Sequence, residues 1–373
     1  MAGVYIHIPF CKQACTYCDF HFSTTFSAYQ HQMIQAIVKE IAVRGDYLAG
    51  ERVETVYFGG GTPSLLTGAE VNLILNAIQA NFICDKTAEI TLEANPDDIT
   101  IEKLKDWKSA GINRLSIGVQ SFDDTDLKWM NRAHNAKESQ DSVRLAIEHG
   151  FFVTIDLIYG LPNVSTEQWI KNLELAVRLK PHHISAYCLT VEENTVLDSW
   201  TKKGKMNSVD AEQQAEQFDV LVDFLEKAGF EQYEVSNFAR EEYYARHNSN
   251  YWTGKTYLGI GPSAHSFNGF ARAWNVSNNQ RYMSAVDKGG TYNEEEVLTV
   301  KDRFNELLMT GLRTKWGVDL GAVSALSVPD KEFYNYVNSR IEAGEMRQFE
   351  NRIVLTKKGR LLADKIASDL FLV

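Results

Sequence analysis

Three cysteines within eight residues constrain the fold of this chain more than any other feature. They lie in the run Y-I-H-I-P-F-C-K-Q-A-C-T-Y-C-D-F, as Cys11, Cys15 and Cys18. Thiols this close together cannot all be core residues of one helix or strand. They can wrap a short loop around one iron–sulfur cube, with each sulfur bound to a different iron. Because only three are present, the fourth iron has no cysteine ligand from this loop, and it can bind a small molecule and pass it an electron.

Two other uses of the cysteines fit the sequence less well. Tetrahedral zinc takes four ligands, commonly from two C-x2-C pairs, whereas Cys84 and Cys188 stand alone. His7 and His21 are near enough in sequence to complete a zinc site, so zinc stays as an alternative. A disulfide framework is disfavoured because a long chain with five cysteines and no signal-peptide pattern suits a reducing compartment. Cys84 and Cys188 are predicted to be core thiols.

The bulk composition predicts a globular protein that does not bind nucleic acid. The chain has 373 residues, of which 44% are hydrophobic and 11% aromatic, enough for two domains or one large domain with an appendage. Its net charge of −11 disfavours a nucleic-acid surface, which needs clustered Lys and Arg. No apolar run approaches the roughly 20 residues that cross a bilayer. We expect a cytoplasmic protein without a leader or N-terminal extension, with peripheral membrane contact left open.

The first half of the chain alternates strand-like runs with amphipathic helical stretches. Six strands are predicted, over 4–8, 54–58, 89–93, 114–118, 152–158 and 183–187. Helices are predicted over 29–44, 69–79, 101–110, 139–149 and 167–179, each with apolar residues at three- and four-residue spacing. This order is typical of an α/β fold with a parallel sheet and right-handed crossovers.

The alternation ends after about Glu192. A long helix is predicted over 210–228, followed by the polar and aromatic run E-V-S-N-F-A-R-E-E-Y-Y-A-R-H-N-S-N-Y-W. From about Asn293 we expect a charged helical stretch, and R-I-V-L-T-K-K-G-R-L-L-A-D-K-I resembles the wing and last helix of a winged-helix module. The predicted boundary near Tyr292 separates a core over 1–292 from a small α+β domain over 293–373.

Several polar or glycine residues fall where parallel strands end, which is where such sheets bind ligands. Gly59, Gly60 and Gly61 follow one strand, and Thr62 comes next. Glycines at this turn let the backbone approach a ligand closely, or they serve only to make a tight β/α turn. The sequence does not decide between the two roles. It is not a phosphate loop, because no Gly-Lys-Ser/Thr follows. Polar side chains near the ends of three further strands are Glu93, Gln120 and Asp156; with the more distant Arg132 they are candidates for a carboxylate-bearing, ribose-bearing ligand.

His247 is a possible haem ligand, because it lies beside Tyr251 and Trp252, whose rings could pack on a porphyrin. A hydrogen-bonding role in a loop is the alternative. His265 is a weaker candidate of the same kind.

The motifs together resemble one protein family. In order along the chain they are Y-I-H-I-P-F-C-x3-C-x-Y-C-D-F, F-G-G-G-T-P-S, E-A-N-P, R-L-S-I-G-V-Q-S-F, L-x3-N-R-x-H, I-D-L-I-Y-G-L-P, H-I-S-x-Y, R-H-N-S-N-Y-W and G-I-G-P-S-A-H-S. They are similar to the oxygen-independent coproporphyrinogen III oxidase-like radical SAM proteins, and within them to the HemW-type haem chaperones. The resemblance implies a partial (β/α)6 barrel with a winged-helix-like C-terminal domain.

The resemblance also implies cofactors and contacts. Cys11, Cys15 and Cys18 are expected to hold a 4Fe-4S cluster, with S-adenosylmethionine (SAM) bound at the open iron. The residues expected to contact SAM are Tyr5, Tyr17, Gly60, Gly61, Thr62, Glu93, Gln120, Arg132 and Asp156. An electron donor such as flavodoxin or ferredoxin is implied.

The chain differs from the oxidases of this family at two places. The oxidases have a fourth cysteine two residues beyond the triplet, where this chain has Phe20, and they have an N-terminal extension that is expected to be absent here. We therefore expect a haem chaperone that delivers haem to haem-requiring respiratory proteins, with acceptors at the membrane left open. The alternatives are a coproporphyrinogen III oxidase, which converts propionates to vinyl groups, or a radical SAM enzyme for another substrate, so enzymatic activity is left open.

Overall fold

The computed structural model describes residues 1–206 and 210–372. In its first half, six parallel strands alternate with helices, which confirms the predicted α/β organisation. The strands are β1 (Ala2–Ile8), β2 (Val53–Gly60), β3 (Cys84–Ala94), β4 (Arg114–Gln120), β5 (Phe152–Tyr159) and β6 (His183–Cys188). They are neighbours in the sheet in the order in which they occur in the sequence. Their carboxyl ends therefore meet at one edge.

Most helices of this half pack on the apolar, outer face of the sheet. They are α1 (Gln30–Val43), α2 (Gly68–Asn81), α3 (Ile101–Ala110), α4 (Asp124–Trp129), α5 (Ala136–Glu148) and α6 (Thr166–Arg178). Several begin with a capping box, such as Thr67 with Glu70 at α2 and Ser165 with Gln168 at α6. In a capping box two otherwise unsatisfied backbone N–H groups find side-chain partners, which fixes where a helix begins.

The second half extends the same sheet at both edges. Its helices are α7 (Val196–Lys202), α8 (Ala211–Lys227), α9 (Arg246–Trp252) and α10 (Asn279–Lys288). Its strands are β7 (Glu231–Gln232), β8 (Asn237–Ala239), β9 (Tyr257–Ile260), β10 (His265–Phe267), β11 (Ala271–Asn275) and β12 (Asn293–Val297). The order of the twelve strands formed by the described residues is β12-β11-β10-β9-β1-β2-β3-β4-β5-β6-β8-β7. Strand β9 is parallel to β1, and the other added strands pair antiparallel.

The six central strands have one apolar face and one polar face. On β1, Val4, Ile6 and Ile8 are fully buried in the core between sheet and helices. The alternate residues point the other way, because successive side chains of a strand face opposite sides. Register places Tyr5 of β1 beside Tyr57 of β2, so polar residues form rows on the inner face. Strands β2 to β6 all contribute to one cavity on that face, so the sheet curls around it as an open barrel.

The C-terminal part has a hydrophobic core of its own. Its elements are α11 (Val300–Leu312), β13 (Val318–Asp319), α12 (Leu320–Leu326), α13 (Lys331–Glu342), β14 (Met346–Phe349), β15 (Arg352–Leu355), α14 (Lys357–Arg360) and α15 (Ala363–Ser368). Three helices followed by the β14–β15 hairpin give the α+β arrangement that the winged-helix-like prediction requires.

The prediction of a helical stretch from Asn293 is wrong for residues 293–297. They form β12, which pairs antiparallel with β11 as an edge strand of the large sheet. The segment is mostly glutamate, and charged side chains are tolerated there because an edge strand exposes them to water. The helix begins at Val300, after Thr299 caps it. The predicted boundary near Tyr292 stays a prediction, and hydrogen bonding assigns the next five residues to the large sheet.

Candidate functional site

The three predicted cluster cysteines lie in the loop that follows β1. They are partly buried and all three line the inner cavity. Thr62 donates a hydrogen bond to the Cys11 sulfur at 3.4 Å, and Arg132 donates one to the Cys15 sulfur at 3.3 Å. Burial raises the pKa of Cys11 to about 11, so this thiol stays protonated until a metal displaces the proton. Donors aimed at two sulfurs suit a loop that holds thiolates.

The structure does not support zinc at the cysteine loop. In the ranges 1–206 and 210–372, no three His, Cys, Asp or Glu side chains are grouped closely enough to hold a single metal ion. A cube of four irons does not require such a group, since each cysteine binds a different corner. His7 and His21 have other partners: the His7 ring contacts the His21 carbonyl oxygen at 2.9 Å, and the His21 ring contacts Asn279 at 2.8 Å.

The glycine turn after β2 is held by backbone hydrogen bonds to the end of β1 and the start of the cysteine loop. The amide of Gly61 donates to the Ile8 carbonyl at 2.9 Å, and the amide of Thr62 donates to the Phe10 carbonyl at 2.6 Å. A Cβ on Gly61 would lie 2.5 Å from the Phe10 oxygen, so a side chain there would push the two loops apart. Gly60 has φ +101°, a conformation that favours glycine. The turn is therefore tight for a structural reason, and it also lines the cavity.

Two partly buried carboxyl groups lie on the inner face of the barrel. Tyr57 donates a hydrogen bond to Glu93 at 2.7 Å, and Ser116 donates to Asp156 at 3.2 Å. Burial raises the pKa of Glu93 to about 7 and the pKa of Asp156 to about 6. Raised carboxyl pKa values in a cavity mark groups whose ionisation a cationic ligand would favour.

Arg132 joins the cysteine loop to the ends of β3 and β4. One guanidinium nitrogen donates to Asn95 at 2.7 Å and to the Gly118 carbonyl at 2.9 Å. Its Nε is buried and has no hydrogen-bond partner among the described residues. Gln120 has φ +67°, which a non-glycine residue adopts rarely, at an irregularity in the β4–β5 register. Strain of this kind is concentrated at ligand sites.

The cavity at the carboxyl ends of the strands has a volume of about 420 Å³, within the range of about 300–1,000 Å³ for small-molecule sites. Besides the three cysteines, eight predicted SAM contacts line it, namely Tyr17, Gly60, Gly61, Thr62, Glu93, Gln120, Arg132 and Asp156. Tyr5 does not line it; its ring stacks behind Tyr57 with centroids 6.0 Å apart. The arrangement fits SAM chemically, because the partly buried guanidinium of Arg132 can meet the SAM carboxylate, and the carboxylates of Glu93 and Asp156 can meet the ribose hydroxyls and the sulfonium.

Some cavity residues are absent from the sequence prediction. They are Tyr57, Asn95, Ser116, Ser185, Tyr187 and Cys188, among others. The polar-apolar alternation along each strand was the signal that could have found Tyr57, Ser116 and Ser185, since they share a face with the predicted carboxylates. Cys188, expected as a core thiol, is only partly buried and lies at the mouth.

His247 lies beneath the cavity and is 2% exposed. Its Nδ1 contacts the Thr55 hydroxyl at 2.8 Å and its Nε2 contacts the Tyr251 hydroxyl at 3.0 Å. The ring stacks on Tyr57 with centroids 5.0 Å apart. Burial lowers the pKa of His247 to about 3, so the ring is neutral. Both nitrogens already have partners, and this favours the hydrogen-bonding role over the haem-ligand hypothesis.

Comparison with known proteins adds independent evidence. Residues 5–176 match the model of the radical SAM superfamily. The chain is 33% identical over 375 residues to the heme chaperone HemW of Bacillus subtilis, covering 98% of each chain. It is 38% identical over 265 residues to the heme chaperone HemW of Escherichia coli, covering 70% of this chain and 69% of that one. Among solved structures, the coproporphyrinogen III oxidase HemN of Escherichia coli aligns with a TM-score of 0.85 at 25% identity, over 99% of this chain and 90% of that one.

Proposed function

Because this chain belongs to the radical SAM superfamily, and within it to the family of the heme chaperone HemW, we propose that it binds haem and delivers it to haem-requiring proteins. The observation that carries this proposal is the identity of 33% over 98% of both chains with a relative of that name. A similarity that spans both domains supports a shared activity better than one confined to the barrel.

Membership of the superfamily implies a 4Fe-4S cluster and SAM. We assign Cys11, Cys15 and Cys18 as the cluster ligands. The Thr62 hydroxyl donates to the Cys11 sulfur, and an Arg132 N–H donates to the Cys15 sulfur. When bound, the two groups supply an electron and a sulfonium that can accept it. The carboxylates of Glu93 and Asp156 orient the nucleoside and balance its positive charge.

The coproporphyrinogen III oxidase activity stays as a second candidate because the fold matches HemN with a TM-score of 0.85. Phe20 disfavours it. This side chain is 64% exposed at the cavity mouth, where the resemblance places a fourth cysteine in the oxidases. A benzyl side chain can neither bind metal nor exchange a proton there.

The partners of the chain follow from the proposed function. Apo-proteins that require haem are the acceptors, and a flavodoxin or ferredoxin is the electron donor. No helix among the described residues has the length and apolar character needed to span a membrane.

Haem titration of the anaerobically reconstituted protein, followed by mixing with an apo-acceptor, tests the proposal. We expect a stoichiometric Soret change and then recovery of acceptor activity. Failure to bind haem would contradict the chaperone function. Steady conversion of coproporphyrinogen to protoporphyrinogen by the cluster-loaded protein would favour the oxidase instead.

A further inference from the structure

A second cavity lies outside the barrel, between α9, the β9–β10 segment and the C-terminal domain. Its volume is about 560 Å³, larger than that of the cluster cavity at about 420 Å³. Both domains contribute to its walls, with α11 and the residues between α11 and α12 on one side. Ligand sites occur preferentially at such domain interfaces. The sequence motifs assigned to the cluster and SAM contribute nothing to it.

Five aromatic side chains contribute to the walls of this interdomain cavity. The rings that line it are Tyr251, Trp252, Tyr257, Phe267 and Trp316. Tyr251 packs edge-on against Tyr257 with centroids 4.6 Å apart, which holds both rings in fixed orientations. Rings of this kind present flat apolar surface at low cost in conformational freedom, so they suit a flat apolar ligand.

Arginines also line the interdomain cavity. Arg303 lies over the Phe270 ring at 5.4 Å and forms no ion pair with any residue in the described ranges. Arg272 lies over the Phe267 ring at 5.5 Å and bonds Glu306 at 2.8 Å. A guanidinium that has a ring on one side can still bind a carboxylate with its N–H edge. Arg352 lines the cavity too, as do the acidic side chains Glu306 and Asp319. The cavity therefore combines flat apolar walls with an excess of cationic donors over carboxylates.

We propose that this interdomain cavity binds the tetrapyrrole, with its macrocycle between the aromatic rings and its propionates on Arg272 and Arg303. The proposal rests on the proposed function and specifies where the haem is held. Haem is a planar apolar disc that bears two carboxylates, so it needs both kinds of wall that the cavity provides.

The cluster cavity is the competing location and suits haem less well. It is lined by the carboxyl groups of Asp19, Glu93, Asp156 and Glu192 and by partly buried thiols, with Lys12 and Arg132 as its cationic side chains. Propionates placed there would lie close to like charges, which repel in a site of low dielectric. The two cavities thus differ in their balance of charge: acidic side chains outnumber basic ones around the cluster cavity, whereas three arginines outnumber two acidic side chains around the interdomain cavity.

His247 becomes a positioning residue in this arrangement. Its Nε2 contacts the hydroxyl of Tyr251 at 3.0 Å, and the Tyr251 ring lines the interdomain cavity. Its Nδ1 is fixed by Thr55 of β2 at 2.8 Å. The segment R-H-N-S-N-Y-W therefore shapes the haem cavity through Tyr251 and Trp252 without an iron–histidine bond.

The test is a haem titration of anaerobically reconstituted protein carrying Arg303→Gln or both Arg303→Gln and Arg272→Gln. Charge-assisted hydrogen bonds contribute enough that each loss should weaken haem binding about tenfold, and both together about a hundredfold. Arg347→Gln is the matched control, because Arg347 is an exposed arginine of the same domain on β14. The cluster absorbance and the unfolding midpoint of each variant report that the fold is kept.

The outcomes separate the inference from the function on which it rests. If the wild-type protein binds haem and the double variant binds as tightly as Arg347→Gln, the cavity assignment is overturned and the chaperone function stands. If the wild-type protein binds no haem, the chaperone function and the cavity assignment both fail. Should the double variant not fold, Arg303→Gln alone decides, since Arg303 has no ion-pair partner to lose. His247→Gln should weaken haem binding without moving the Soret maximum; a moved maximum would restore the iron-ligand hypothesis and contradict the positioning role.

Discussion

Replacement of Tyr57 by Phe should change how SAM binding depends on pH. The Tyr57 hydroxyl donates to Glu93 at 2.7 Å, a contact that favours the ionised carboxylate and lowers its pKa against the effect of burial. The Tyr57→Phe variant keeps the ring that stacks on His247 and removes only the hydroxyl. Without this hydrogen bond, burial is opposed less strongly, so the pKa of Glu93 should rise above its value of about 7.

The size of the change follows from the strength of the lost bond. A hydrogen bond to a charged group contributes about 1.5–3 kcal/mol, and one pKa unit corresponds to about 1.36 kcal/mol. The pKa of Glu93 should therefore rise by about one to two units. If the ionised carboxylate is the form that binds the cationic nucleoside, affinity near neutral pH should fall by roughly tenfold. The loss should shrink at higher pH, where both proteins have an ionised Glu93.

Calorimetric titration of the cluster-loaded protein with SAM across a pH series measures this shift. The wild-type protein should gain affinity as the pH rises through about 7, and Tyr57→Phe should gain it one to two units higher. Tyr29→Phe is the control, because the Tyr29 hydroxyl accepts a bond from Asn279, which does not line the cavity. An unchanged midpoint, or one displaced to lower pH, would refute the reasoning about Glu93.

Three other perturbations have defined outcomes. Cys15→Ala should abolish the visible cluster absorbance and the bound iron while leaving the unfolding midpoint of the cluster-free protein unchanged; a normal iron content would contradict the ligand assignment. Gly60→Ala would place a Cβ 2.6 Å from the His7 imidazole at a residue with φ +101°, so the free energy of unfolding, measured with denaturant, should fall by about 1–3 kcal/mol. Gly254→Ala is the control and should lose less stability, because its added Cβ would lie in open space. Burial raises the pKa of Glu93 from 4.5 to about 7, so ionisation of this carboxyl opposes folding as the pH rises through that window. Glu93→Gln should therefore stabilise the cluster-free protein by about 3 kcal/mol at pH 8 but not at pH 4. Equal stability of the two proteins at pH 8 would contradict the raised pKa.

Much of the barrel could be predicted from local sequence, because each strand and helix has its own periodicity and most helices their own caps. The site could be predicted in outline for the same reason: parallel strands bring Glu93 and Asp156 to one edge whatever the details of packing. The cysteine spacing defined the loop without any tertiary information.

The errors have tertiary causes. Residues 293–297 have the composition of a solvated helix, yet β11 offered an unpaired edge that only the folded sheet contains. The sequence predicts His247 as a candidate haem ligand because its neighbours are polar and aromatic. In the folded protein, α9 packs so that both ring nitrogens of His247 contact hydroxyl groups. The interdomain cavity was not predicted at all, since its walls come from segments more than sixty residues apart, such as Tyr251 and Trp316.

The position of helix α9 limits how the two cavities can evolve through substitutions. It has seven residues and is therefore about 10 Å long, yet Asn248 lines the cluster cavity and Tyr251 lines the interdomain cavity. A substitution that rotates or shortens this single partition alters both chambers at once. Neither chamber can be reshaped for a new ligand through α9 while the other is held constant, so diversification of either one has to proceed through its outer walls.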